Sequence, residues 1–253
     1  MLRFAGFVAA GLAQALSIAA PWNGQPLWWL QILSLAFLVW QLDAIRLRAE
    51  PKAWRSGFLY GWAFTTAWLC GTWWWLFISL HTYGGLAAPL AVLAVLALAA
   101  ALALYYAVAC ALFVAFAPAS RAGAAIFFAA LWTLGELLRG SWFTGFPWGA
   151  GGYAHLDGPL VRYAPWLGVY GVGLIAALLA AFWGAFPWRA ESKRWAARAR
   201  LLVITVVLLL LPVLWPTQGR TDAAGTLGVA LLQGNIPQDE KFIPGGGVAT
   251  ALR

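Results

Sequence analysis

Seven stretches of this chain are apolar over about the length a helix needs to cross a bilayer, and this narrows the fold more than any motif does. They run over Phe4 to Ala20, Pro26 to Leu42, Gly57 to Leu80, Leu86 to Ala117, Ala122 to Leu138, Leu167 to Pro187 and Ala196 to Trp215. About 20 helical residues span the roughly 30 Å hydrocarbon core. Backbone in lipid must satisfy its own N–H and C=O groups, so each run is predicted to be a helix. Composition agrees: 63% of the 253 residues are hydrophobic and 9% charged, against roughly 45–50% and 25% in soluble domains. The expected fold class is an α-helical polytopic membrane protein of about seven transmembrane helices.

The net charge of +8 by itself suits nucleic acid, but the basic residues lie in short clusters between apolar runs. Membrane topology explains that pattern, and no nucleic-acid partner is expected. With the N-terminus inside, the inner loops hold Arg3, Arg46, Arg48, Lys52, Arg55, Arg121, Arg189, Lys193, Arg194, Arg198 and Arg200. The outer side holds only Arg139, Arg162, Arg220, Lys241 and Arg253. Cytoplasmic loops carry the Lys/Arg excess, so the N-terminus is expected in the cytoplasm and the end of the chain outside it. Arg3 and the following apolar run resemble a signal peptide, but Gln14 and Ser17 interrupt the run and Pro21-Trp22-Asn23-Gly24 turns into a second one; it reads as the first span. Many of the 18 Trp stand near the ends of runs, where indoles anchor at the headgroups.

Groups able to do chemistry are few. Cys70 and Cys110 lie inside apolar runs and read as small hydrophobes; His81 and His155 stand apart, so no metal site or cofactor is expected. Glu136 is the single acid within a span, with Arg139 three positions on and on the same helix face. That pair reads as an interfacial ion pair orienting the loop, or leaves Arg139 to meet a lipid headgroup. The loop LRGSWFTGFPWGAGGYAHLDGPL, Leu138 to Leu160, is too apolar for an exposed loop and too rich in Gly and Pro for a helix. Non-helical backbone at that depth needs protein or a cavity against it, so the loop reads as a re-entrant connector or a lipid-binding wall. His155 with Asp157 has no third catalytic partner, and a loop hydrogen bond is expected. After Trp215 comes a polar linker, then Leu227 to Leu232, read as a buried strand closed by Gln233-Gly234-Asn235-Ile236-Pro237.

Two motifs carry a family resemblance. Leu138 to Gly173, LRGSWFTGFPWGAGGYAHLDGPLVRYAPWLGVYGVG, and Val229 to Lys241, VALLQGNIPQDEK, resemble the bacterial apolipoprotein N-acyltransferases. The resemblance implies a transmembrane domain over 1–215, and over 216–253 a linker and the incomplete start of an α/β nitrilase-like (carbon-nitrogen hydrolase) periplasmic domain. It implies an inner-membrane enzyme that moves an acyl chain from a phospholipid donor to the N-terminal cysteine amine of a diacylglyceryl apolipoprotein acceptor. The family's Glu-Lys-Cys triad falls beyond the equivalent of Arg253, so no catalytic residue is expected here and this polypeptide is expected to be inactive alone. Phe143, Thr144, Gly145, Phe146, Pro147 and Trp148 match the TGFPW loop, while Gln233 and Asn235 fall in the strand-end turn. Phe242 stands where many members have Trp. With Arg139, these are the candidate substrate-binding residues. A transporter would need ionisable groups along the spans, which hold only scattered Ser, Thr and Gln besides Glu136; a non-catalytic membrane scaffold is the other alternative.

Overall fold

The computed structural model describes residues 2–186, 195–214 and 225–231. Its helices are α1 (Leu2–Ile18), α2 (Trp28–Arg46), α3 (Ala53–Thr72), the single-turn α4 (Trp75–Ile78), α5 (Ala88–Phe116), α6 (Arg121–Ser141), α7 (Ala164–Gly184) and α8 (Trp195–Leu210). Each of the seven apolar runs therefore contains one long helix among the described residues. Five segments are both long and apolar enough to cross a membrane: Trp28–Arg46, Ala88–Phe116, Arg121–Thr144, Pro159–Gly184 and Trp195–Val213. α1 has only 17 residues, about 26 Å of rise. α3 carries Arg55 and the buried Thr65 and Thr66, which lower its hydropathy.

Small residues set how closely the helices pack, as they do where lipid tails supply no hydrophobic drive between helices. A Cβ on Gly61 of α3 would meet Cys110 Sγ of α5 at 2.6 Å, and one on Gly11 of α1 would run into the Phe64 carbonyl of α3. Around these contacts lies the main core, with Phe64, Trp68, Tyr106, Phe113, Phe128 and Trp132 buried. Trp68 and Trp132 stack with centroids 5.7 Å apart. Both cysteines are free; Cys110 is fully buried and Cys70 partly so, in keeping with structural roles. On α5, Leu90, Leu93, Leu96, Leu104 and Val108 face outward, an apolar stripe that suits lipid rather than water. This is a multi-pass membrane protein.

Three sequence expectations are corrected. The run from Gly57 to Leu80 is not one helix: α3 ends at Thr72, and after α4 the chain makes a π-turn over Ser79–Tyr83. The break falls at Trp73, whose indole is committed to a distant loop. α7 is interrupted at Gly168, where φ +64 and ψ −174 depart from helix and only glycine is comfortable. Finally, residues 225–231 form no strand, and Leu227, Val229 and Leu231 are 87%, 68% and 91% exposed. A strand is stabilised by its neighbours, and the described residues supply none.

Candidate functional site

The 142–163 loop folds back over the end of α6. Ser120 caps the start of that helix, its Oγ accepting from Gly123 N at 3.2 Å. At the other end, Phe146 N donates to the Arg139 carbonyl at 2.8 Å, which reverses the chain. The reversal uses three successive positive φ angles: Phe143 at 52°, Thr144 at 74° and Gly145 at 74°. For Phe143 and Thr144 this region costs about 1–3 kcal/mol each and persists only where surroundings enforce it. At Gly145 a Cβ would strike the Gly140 carbonyl, so the turn requires glycine on two counts.

A buried polar bracket supplies the enforcement. Arg139 is 1% exposed. Its Nε donates to Tyr106 Oη at 3.0 Å, and its Nη1 donates to the carbonyls of Phe146 at 2.5 Å and Trp148 at 3.0 Å. Glu136 is fully buried; its Oε1 accepts from Gly151 N at 2.5 Å and lies 4.0 Å from Arg139 Nη2. Just past the end of α3, Trp73 Nε1 donates to the same Trp148 carbonyl at 3.1 Å, and its ring meets Phe146 edge-on at 4.7 Å. From α2, Gln31 Nε2 donates to Gly151 O at 2.5 Å, while Gln31 Oε1 lies 2.6 Å from His155 Nε2. The loop is thus tied to three helices through groups that would be costly to bury unpaired.

His155 has the expected loop hydrogen bond, but its partner is Gln31 rather than Asp157, which is exposed. Burial pulls the imidazole down to about 4, so it is neutral at physiological pH. The Gly151 carbonyl can only accept, so the Gln31 amide nitrogen faces it and the amide oxygen faces His155. His155 therefore carries its proton on Nε2. Among the described residues its Nδ1 has no partner.

The sequence-predicted residues separate by exposure. Phe143 is 90% exposed and Trp148 61%; Thr144 and Pro147 are also exposed, whereas Gly145 and Phe146 are half-buried. Arg139 has no surface for a headgroup and faces inward onto the loop. Gln233, Asn235 and Phe242 lie outside the described residues. Sequence reasoning missed Gln31, Trp73 and Tyr106. Gln31 left one signal, an amide in the middle of an apolar run; an aromatic in such a run leaves none.

Beside the loop opens a groove of about 480 Å³, lined by Ile18, Thr72, Trp73, Trp75, Pro147, Trp148, Gly149 and Tyr153. Trp75 and Trp148, both in its lining, meet edge-on at 5.9 Å. Among the described residues no group of three or more His, Cys, Asp or Glu is placed to hold a metal.

A helical membrane domain that presents a clamped aromatic loop and an apolar groove at one end is the class of protein that this fold and site define. The chain belongs to the family of apolipoprotein N-acyltransferase N-terminal domains, whose sequence model matches residues 10–182. It is 54% identical to an apolipoprotein N-acyltransferase of Verminephrobacter eiseniae over 97% of this chain and 47% of that protein. Proteins of the same name from Ralstonia nicotianae and Pseudomonas putida are 44% and 37% identical, over 95% and 94% of this chain and 44% and 45% of theirs. The chain spans about half the length of the curated relatives it matches.

Proposed function

We propose that this chain forms the membrane-embedded part of an apolipoprotein N-acyltransferase and that its groove receives an acyl chain of the phospholipid donor. The acceptor is the N-terminal cysteine amine of a diacylglyceryl apolipoprotein, and the site of action is the bacterial inner membrane. The chain crosses seven times with its N-terminus in the cytoplasm, residues 1–215 forming the membrane domain and 216–253 beginning a nitrilase-like periplasmic domain. The distribution of Lys and Arg supports this orientation. The observation that carries the reading is the groove wall itself: Pro147 and Trp148, from the matched loop, join Trp73 and Trp75 in lining a largely apolar groove.

Transfer through a thioester needs an activated thiol. Cys110 is fully buried between α3 and α5 and Cys70 is partly buried in α3, so neither is placed to attack a lipid. The chain's own contribution is to hold the donor: apolar walls remove an acyl chain from competing positions in the bilayer, and a fixed loop orients it. The test joins residues 1–231 to the remaining part of the Verminephrobacter eiseniae relative and measures transfer from phosphatidylethanolamine to a diacylglyceryl peptide. Phe146→Ala and Trp148→Ala are expected to lower kcat/KM for the donor about tenfold or more. A folded chimera with no transfer, or variants equal to the parent, refutes the assignment.

A further inference from the structure

We propose that Arg139 is a positioning residue that presets the Pro147–Trp148 wall of the groove for an acyl chain. The proposal rests on the reading of the groove given above and adds the element that shapes it.

Pro147 has no N–H and interrupts any regular hydrogen-bond ladder in the loop. The residues on either side of it, Phe146 and Trp148, both present their carbonyls to Arg139 Nη1. One guanidinium nitrogen therefore fixes the backbone before and after the proline. Tyr106 Oη takes the Nε donor on the opposite edge, which sets the plane of the guanidinium. Glu136, one helical turn earlier, holds Gly151 N and so the loop backbone just beyond Trp148. With its carbonyl engaged by both Arg139 and Trp73, Trp148 is held while its indole stays 61% exposed against Trp75. Among the described residues, loss of Arg139 leaves the Trp148 carbonyl to Trp73 alone and the indole to its ring contact with Trp75, which loosens the groove wall.

The geometry uses the planar, multi-donor fork of arginine. A lysine ammonium at this site keeps the charge beside Glu136 but has no fixed plane with which to serve Tyr106 and two loop carbonyls together. Arg139→Lys therefore separates charge from positioning. Tyr106→Phe removes a single hydroxyl and frees the plane of the guanidinium.

The experiment places this 253-residue chain in nanodiscs of phosphatidylethanolamine and phosphatidylglycerol doped with phosphatidylethanolamine bearing a diazirine at the acyl terminus. After photolysis, cross-links are mapped by peptide mass spectrometry and scored as a ratio, groove (Trp75, Trp148, Tyr153) to bulk-lipid face (Leu93, Leu96). Global loss of structure abolishes the distinction between the two faces, whereas loss of positioning lowers the groove signal alone. The parent chain is expected to label the groove in excess of the lipid face, Arg139→Lys to lower the ratio about fivefold, and Tyr106→Phe about twofold. A parent chain without groove labelling refutes the groove reading itself. A parent that labels and a folded Arg139→Lys with the parental ratio overturn the positioning role alone. If Arg139→Lys does not fold, Tyr106→Phe decides: an unchanged ratio overturns the proposal and a lowered one supports it.

Discussion

Between pH 7 and pH 4 the folded chain is expected to lose about 3 kcal/mol of stability through one side chain, His155, the product of its displacement from 6.5 to about 4 and roughly 1.4 kcal/mol per pH unit. The imidazole is fully buried, donates from Nε2 to Gln31 and, among the described residues, leaves Nδ1 without a partner. Protonation puts a second N–H on Nδ1 with no acceptor and a charge where water does not reach. The folded value lies below the unfolded one, so between pH 6.5 and 4 the unfolded chain binds a proton that the folded chain refuses. His155 therefore contributes fully above pH 6.5, and its contribution drains away as the pH falls toward 4. Denaturant unfolding in detergent, followed by tryptophan fluorescence at pH 7, 6, 5 and 4, reads this directly. His155→Gln keeps an amide donor toward Gln31 and does not titrate, so the parent is expected to fall about 3 kcal/mol further than the variant across the range. Parallel pH profiles for parent and variant would show that burial of His155 does not govern acid stability.

Three other substitutions probe the loop and its supports. Gly152→Ala drives a Cβ into the Val169 carbonyl of α7 and is expected to cost about 1–3 kcal/mol or more, seen as a lowered melting temperature in detergent. Trp73→Phe retains most of the ring contact with Phe146 but removes the 3.1 Å hydrogen bond to Trp148 O, for a loss near 1 kcal/mol in equilibrium unfolding. Ser120→Ala removes the cap of α6 and is expected to cost about 1 kcal/mol in the same assay while leaving groove labelling by the lipid probe unchanged.

Much of the fold was legible because a bilayer enforces a local rule: an apolar run of sufficient length becomes a helix whatever its neighbours do. Hence all seven runs contain a long helix, while their breaks were misjudged. Trp73 ends α3 through a bond to Trp148, 75 residues away, and no window of sequence around it records that partner. Leu227 to Leu231 has the composition of a strand and lies exposed, because composition sets which face a strand would bury but cannot provide the strands beside it.

The loop divides in the same way. Its Gly, Pro and aromatic content announced a shaped, non-helical segment, and the spacing of Glu136 and Arg139 put both on one helix face. Which way that face points was settled only in three dimensions. Arg139 was a candidate for lipid headgroups, yet it lies 1% exposed beneath the loop, and Gln31 and His155 meet across 124 residues. The sequence alone determined that this chain is a bundle of membrane helices with a glycine-rich aromatic loop, since hydrophobic length and backbone permissiveness are properties of adjacent residues. Only the tertiary structure decided which polar groups hold that loop, because a buried donor takes whichever acceptor the packing of distant helices brings within about 3 Å.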